Sequence, residues 1–191
     1  MSRYIMRNSI IKEADRLLMQ TGYNAFSYKT ITERIDIKTS SIHYHFPKKS
    51  DLGIAIIQAH QDAFEETILR TKDKTPLEKI LKLFLYYRRL AAEQKVCIVG
   101  ALTSDINTLD EKLREKVLAF AESIVGWTAT ILEEGEHQKV FKPISAPHLK
   151  AKILVSTLMA LTQLARIENS NDSFEKTLEV LLDEIILKNN I

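Results

Sequence analysis

The sequence predicts an all-α chain of about nine helices, with an N-terminal three-helix unit containing a helix-turn-helix and a larger C-terminal helical domain. Three observations predict it. Apolar residues recur at spacings of three and four along most of the 191 residues. Only five Gly and four Pro are spread over the whole length, too few for the turns of a many-stranded β protein. Within Thr30 to Lys49, two short helical patterns meet at a tight turn around Asp36, and the second carries hydroxyl, polar and aromatic side chains in place of a thick apolar face. A hydrophobic content of 45% is ample for a folded core.

The elements follow in order. Met6, Ile10, Ala14, Leu17 and Leu18 mark an amphipathic first helix, which Gly22 stops. Ser27 is the N-cap of a helix over 28–35, with Ile31 and Ile35 on one face. Asp36 sits where the chain turns sharply, and Asp tolerates left-handed backbone better than most residues. Ile37 plugs the core between the helices. Lys38 or Thr39 opens the next short helix, which ends before Pro47 because the residue preceding a proline disfavours the α region. Ser50 caps a long helix from about 51 into the low seventies, with Leu52, Ala55, Ile56, Ala59 and Ala63 inward. A polar linker over 71–76 follows, and Pro76 starts a helix through Glu93. Residues 96–102 are apolar and lead into a broken polar segment to about Asp110. A long helix over 111–135 turns Leu113, Val117, Phe120, Ile124, Trp127, Ile131 and Leu132 inward. A loop with two prolines precedes the last two helices, 146–167 and 173–187. No strand, internal repeat or low-complexity pattern is present. The domain division is 3–50 (3–63 with the start of the linking helix) and 51–191.

The net charge of +2 hides an asymmetry. Residues 1–50 carry nine basic and four acidic side chains, a net of +5, against eighteen and twenty-one in the remainder, a net of −3. A basic head on a mildly acidic body fits a polyanion-binding head, although charge alone also fits a merely solvated surface. One cysteine, Cys97, excludes an intrachain disulfide framework and suits a reducing compartment. No signal-peptide pattern opens the chain, and no apolar run approaches the roughly 20 residues of a membrane span. The expected location is cytoplasmic, away from the membrane.

These residues resemble the TetR family of transcriptional regulators. The resemblance covers about residues 3–60 and rests on the apolar helix ending in Gly22 and Tyr23, the run from Ser27 to Arg34, Ile37, and the run Ile42-His-Tyr-His-Phe-Pro-Lys-Lys-Ser-Asp-Leu52. It implies a sequence-specific DNA binder, usually a repressor. Beyond residue 60, Cys97-Ile-Val-Gly-Ala-Leu102 and the following long helix are similar to a branch with a cysteine entering the ligand-binding core. In some members of that branch the cysteine senses electrophiles or oxidants. Three positions depart from the family pattern: Asp36 stands at the turn where glycine is usual, Thr39 where many relatives have lysine, and His43 where tyrosine is usual.

Phosphate contacts position such a protein and base contacts specify the sequence. Lys29 starts the second helix and suits a phosphate, and the resemblance implies that Lys49 is a backbone clamp. Tyr44 and His45 can donate to phosphate oxygens, and Tyr44 can pack on a thymine methyl. Lys38, Thr39, Ser40, Ser41 and His43 are the candidates for base edges. Ile31, Ile35, Ile37, Ile42 and Phe46 are core residues that aim the helix. A metal at His43 and His45 is not expected, since neighbouring helical positions diverge and no further ligand accompanies them.

One small head makes few contacts, so a homodimer on a palindromic double-stranded operator is expected. The last two helices supply the interface, because Leu149, Ile153, Leu158, Leu161, Leu164, Phe174, Leu178, Leu181, Leu182, Ile185 and Ile186 exceed a single buried stripe. Cys97, Tyr86, Tyr87, Phe120, Trp127, Met159 and Gln163 are candidates to line a pocket for an unknown small-molecule effector. Activation of Cys97 would need a cation, and Lys95 is the nearest in sequence. The expected mechanism is a population shift in which the effector widens the separation of two heads, with the long helix from Asp51 as lever. An architectural DNA binder without an effector is the alternative. No enzyme and no cofactor are expected: His137 and His148 lie in or beside a loop without a nucleophile or a phosphate-binding loop.

Overall fold

The computed structural model describes residues 3–187. Their order is α1 (Arg3–Thr21), α2 (Tyr28–Ile35), α3 (Thr39–His45), α4 (Lys49–Arg70), α5 (Pro76–Ala92), α6 (Ile98–Thr103), α7 (Glu111–His137), α8 (Pro147–Glu168) and α9 (Asp172–Ile185), with one turn of 3-10 helix at Ile106–Thr108. Among the described residues, β structure is limited to an isolated bridge between Phe141 and Ile186. The all-α expectation holds.

The described residues form two compact units. The first takes those up to Glu66 together with Ile98–Phe120, and the second takes Thr67–Cys97 and the described residues from Ala121 onward. In the first, α1 packs on α2, α3 and α6. Its core is Ile10, Ala14, Leu18, Ile31, Ile42, Leu52, Ile56, Ile57, Leu102 and Leu113, each fully buried. In the second, α5 packs on α8 and α9 around Ile80, Tyr87, Leu132, Leu154, Leu158, Phe174 and Leu178. Burying each of the Leu, Ile and Phe side chains among these contributes about 1.5–3 kcal/mol.

Two boundaries and one buried face differ from expectation for local reasons. α4 begins at Lys49 because the Asp51 carboxylate reaches back to accept from the Lys48 N–H at 3.0 Å. Ser50 is not its cap, since its side chain bonds Asp110. Further along α4, Gly53 and Ile57 are buried where Ala59 and Ala63 had been expected, and the latter two are exposed. A Cβ on Gly53 would come within 2.8 Å of Leu113 Cδ2. α7 runs through Gly135 to His137. Gly135 is a point of close approach and not a stop: an added Cβ would lie 2.0 Å from Phe141 Cδ2, on a ring that is 1% exposed. The chain reverses only at Lys139, with φ 56°.

Candidate functional site

The short helix α3 is aimed by its neighbours. Ser27 and Thr30 form a reciprocal cap at the start of α2, the Thr30 N–H donating to Ser27 Oγ at 3.3 Å and the Ser27 N–H to Thr30 Oγ1 at 3.3 Å. Asp36 closes α2 in the left-handed region, φ 52° and ψ 58°, its N–H donating to Thr32 O. The turn then delivers Ile42 and Phe46 inward, 0% and 2% exposed. Tyr28 locks this geometry from the side. Its hydroxyl donates to Phe46 O at 2.8 Å, and its ring meets the His43 ring edge-on at 4.9 Å. Burial, with a smaller contribution from the Asp51 charge, pushes the Tyr28 phenol up to about 12, so it remains a donor at neutral pH.

The outward side of α3 is polar and aromatic. Lys38, Thr39, Ser40, His43 and Tyr44 are exposed, with Tyr44 at 64%, and Ser41 and His45 are half-buried. The six expected α3 residues from Thr39 to His45, leaving out buried Ile42, thus share a single seven-residue helix. Lys29 is exposed on α2 and only loosely paired with Glu33, at 3.9 Å.

Lys49, the expected phosphate clamp, turns inward in this structure. Its ammonium donates to Tyr23 O at 2.5 Å and Phe26 O at 2.6 Å, and lies 4.6 and 4.3 Å from the centroids of the Tyr23 and Phe26 rings. Desolvation pulls its pKa below the usual lysine value, against an opposing pull from Asp105. The inward turn follows from the loop between α1 and α2, whose carbonyls face the start of α4. The same loop is held from its other side. Asn24 donates its N–H to Asp105 Oδ2 at 3.0 Å, and its side-chain amide to Asp105 Oδ1 at 2.9 Å and Thr108 Oγ1 at 3.0 Å.

Sequence reasoning missed Tyr28, Arg3 and Arg7. Arg3 lies over the Tyr44 ring, 5.0 Å from its centroid, and Arg7 lies 5.3 Å from that of Phe46. The four-residue spacing of the arginines put them on one face of α1, but nothing local said that this face meets α3.

The candidate pocket residues scatter. Tyr86, Tyr87 and Cys97 come together: the two tyrosine rings are 5.3 Å apart, and Cys97 shares a hydrogen bond with Tyr87. Tyr87 is 1% and Cys97 4% exposed. Burial first, then the neighbouring thiol, drives the Tyr87 phenol well above its ordinary value. Trp127 and Met159 are half-buried, while Gln163 is exposed. Phe120 belongs to the first unit, where its ring meets Phe64 edge-on at 5.9 Å. The Lys95 ammonium pairs with Glu93 at 2.6 Å. Among the described residues, no three His, Cys, Asp or Glu converge as metal ligands, and no helix is long and apolar enough to cross a membrane.

Comparison with known proteins agrees with this architecture. Residues 10–56 match the family described as "Bacterial regulatory proteins, tetR family", and residues 75–181 match "Tetracyclin repressor-like, C-terminal domain". A TetR-family transcriptional regulator from Agrobacterium tumefaciens superposes with a TM-score of 0.91 at 26% identity, covering 97% of this chain and 100% of that one. A TetR transcriptional regulator from Legionella pneumophila gives 0.83 at 31% identity over 93% and 95% of the two chains. The transcriptional regulator AcuR of Cereibacter sphaeroides is 22% identical over 139 residues, 69% of this chain; the match spans 63% of AcuR's own length.

Proposed function

The chain belongs to the TetR family of bacterial transcriptional regulators, and we propose that it is a homodimeric repressor that places α3 of each copy in the major groove of a palindromic operator and leaves when an effector binds. The observation that carries this reading is the outward face of α3. Lys38, Thr39, Ser40, Ser41, His43 and Tyr44 stand on a helix whose other side is anchored by Ile42 and Phe46. Side chains of this kind, donors and acceptors with one aromatic, suit base edges and phosphates. The polar and aromatic composition of that face is what an apolar protein partner would not require.

The dimer is supported by α8. Leu149, Ile153, Leu164 and Ile167 are 61%, 60%, 47% and 81% exposed. Their spacings of four, eleven and three put them on one side of the helix. Val180 adds a 57% exposed side chain on α9. Leu158, Leu161, Phe174, Leu178 and Ile185 are buried within the second unit, so the candidate interface is a narrower stripe than the sequence implied. Effector release is supported by the chain order: the Tyr87–Cys97 pair is followed directly by α6, which packs on α1. The electrophile version requires Cys97 to become accessible, since it is 4% exposed.

The test is selection of duplexes by the full chain from a random-sequence pool, followed by anisotropy titration. A palindromic consensus bound with strong salt dependence is expected; a chain that retains no duplex ends the reading. For the effector, N-ethylmaleimide should release the wild-type complex and leave a Cys97→Ser complex intact. If both complexes resist it while a low-molecular-mass cell fraction releases them, a non-covalent ligand is at work.

A further inference from the structure

The first turn of α1 lies beside α3, and together they form a surface with one chemical character. An open groove of about 450 Å³ is lined by Arg3, Met6, Ser40, Ser41, Tyr44 and His45. The lining carries a guanidinium, three hydroxyls and an imidazole, and no carboxylate. Several neighbouring cations have partners of their own, while Lys38 and Lys48 are exposed. Arg16 and Arg34 pair with Glu13, Lys29 pairs with Glu33, and Lys49 is turned onto backbone carbonyls. Among the described residues, Arg3 and Arg7 are exposed and hold aromatic rings in place of carboxylates.

We infer that the DNA-contact surface extends from α3 onto α1, with Arg3 over Tyr44 and Arg7 over Phe46 holding backbone phosphates that flank the bases α3 reads. The inference rests on the DNA-binding reading above and adds residues to it. A guanidinium lying over a ring uses its face for the cation–π contact. Its N–H groups point outward in plane, which is the geometry of bidentate phosphate recognition. The ring therefore orders the fork before DNA arrives, which lowers the entropy lost on binding. Tyr44 then serves twice: its ring orients Arg3, and its exposed hydroxyl donates to the same stretch of backbone. This surface supplies the cation that Lys49, occupied with the loop between α1 and α2, does not.

The test uses the full chain and the palindromic duplex that it selects from a random pool, titrated by anisotropy between 50 and 200 mM KCl, concentrations over which phosphate contacts dominate salt dependence, with a slope of about 0.9 per contact. Arg3→Ala and Arg7→Ala should each flatten the log K against log[salt] slope by about one per subunit, about two for a dimer. Arg3→Lys should keep the slope while weakening retention, because an ammonium carries the charge but not the planar fork. A merely structural role would alter the melting temperature and leave the slope unchanged. Unchanged slopes in both alanine variants, with wild-type binding intact, overturn this inference alone. If the wild type selects no duplex, the DNA-binding reading falls and this inference falls with it.

Discussion

α3 and α8 each present one long side to solvent, and what they present is opposite in kind. α3 exposes a lysine at its start, then hydroxyls, imidazoles and one tyrosine, while its apolar residues Ile42 and Phe46 are spent in the core. α8 buries Leu154, Leu158 and Leu161 and still shows Leu149, Ile153, Leu164 and Ile167 to water. A polar face costs nothing in solvent and is informative only through its chemistry. An apolar face this long costs hydration free energy, so it points to another apolar surface. On the proposed reading the two helices suit different partners, a polyanion for the first and a second protein surface for the second. The sharpest way to break the contrast is at α8. Ile153→Glu combined with Leu164→Glu should convert the proposed dimer to monomer by light scattering while the chain stays folded, since both positions are exposed. Retention of a palindromic duplex should fall on the order of a hundredfold or more, because the second head is no longer tethered to the first. A dimer that persists would mean that the stripe has some other use.

The next effect is on packing inside the second unit. Gly135→Ala should destabilise that unit by about 3 kcal/mol, since the new methyl would overlap a fully buried Phe141 ring. Thermal melting reads this directly, and a wild-type melting temperature would show that Phe141 can move aside. The head should behave differently at its exposed side chains. Tyr44→Ala should leave melting unchanged yet weaken duplex binding by about 2 kcal/mol. Lys49→Ala should reverse the pattern, costing about 2 kcal/mol of stability through the loss of two charge-assisted bonds to Tyr23 O and Phe26 O. If Lys49→Ala instead flattens the salt dependence of binding with no effect on melting, the ammonium leaves those carbonyls for phosphate when DNA is bound.

What the sequence made legible was governed by neighbours within four residues. Ser27 as a cap, Asp36 in the left-handed region and the end of α3 before Pro47 are local rules, and all three are realised. Eight of the nine helices among the described residues follow from periodicity in the same way; α6 was legible only as an apolar stretch, and the stripe of α4 only in its first half. The misses need a partner distant along the chain. Ser50 answers to Asp110, Lys49 to carbonyls 26 and 23 residues earlier, and Asn24 to Asp105, 81 residues later. Gly135 resembled a helix stop because a glycine after a long helix usually is one; only the return of Phe141 explains it. The return of Ile98–Phe120 to the first unit has no local signal at all.

The smallest effect concerns acid, and it separates the two units by the same device. Each holds a carboxylate that closes the start of a helix. In the first unit, hydrogen bonds from Ser50 and the Leu113 N–H hold Asp110 below the ordinary carboxylate range. In the second, hydrogen bonds from the Thr75 N–H and hydroxyl, then from Lys74, do the same for Glu78. A carboxylate whose folded pKa is depressed stabilises the fold above its unfolded value, about 3.9 for Asp and 4.3 for Glu, and that contribution fades as pH falls through the folded value. Both caps should therefore weaken only in the acid range below about pH 4. Glu78→Gln keeps an acceptor for the Thr75 N–H but does not titrate, so it should remove part of the acid loss in the second unit and none in the first. Amide exchange followed from pH 5 to pH 3 would show α5 losing its acid sensitivity while the start of α7 keeps it. Equal responses at both helix starts would mean that the units open together, and the contrast between α3 and α8 would then concern surface chemistry alone.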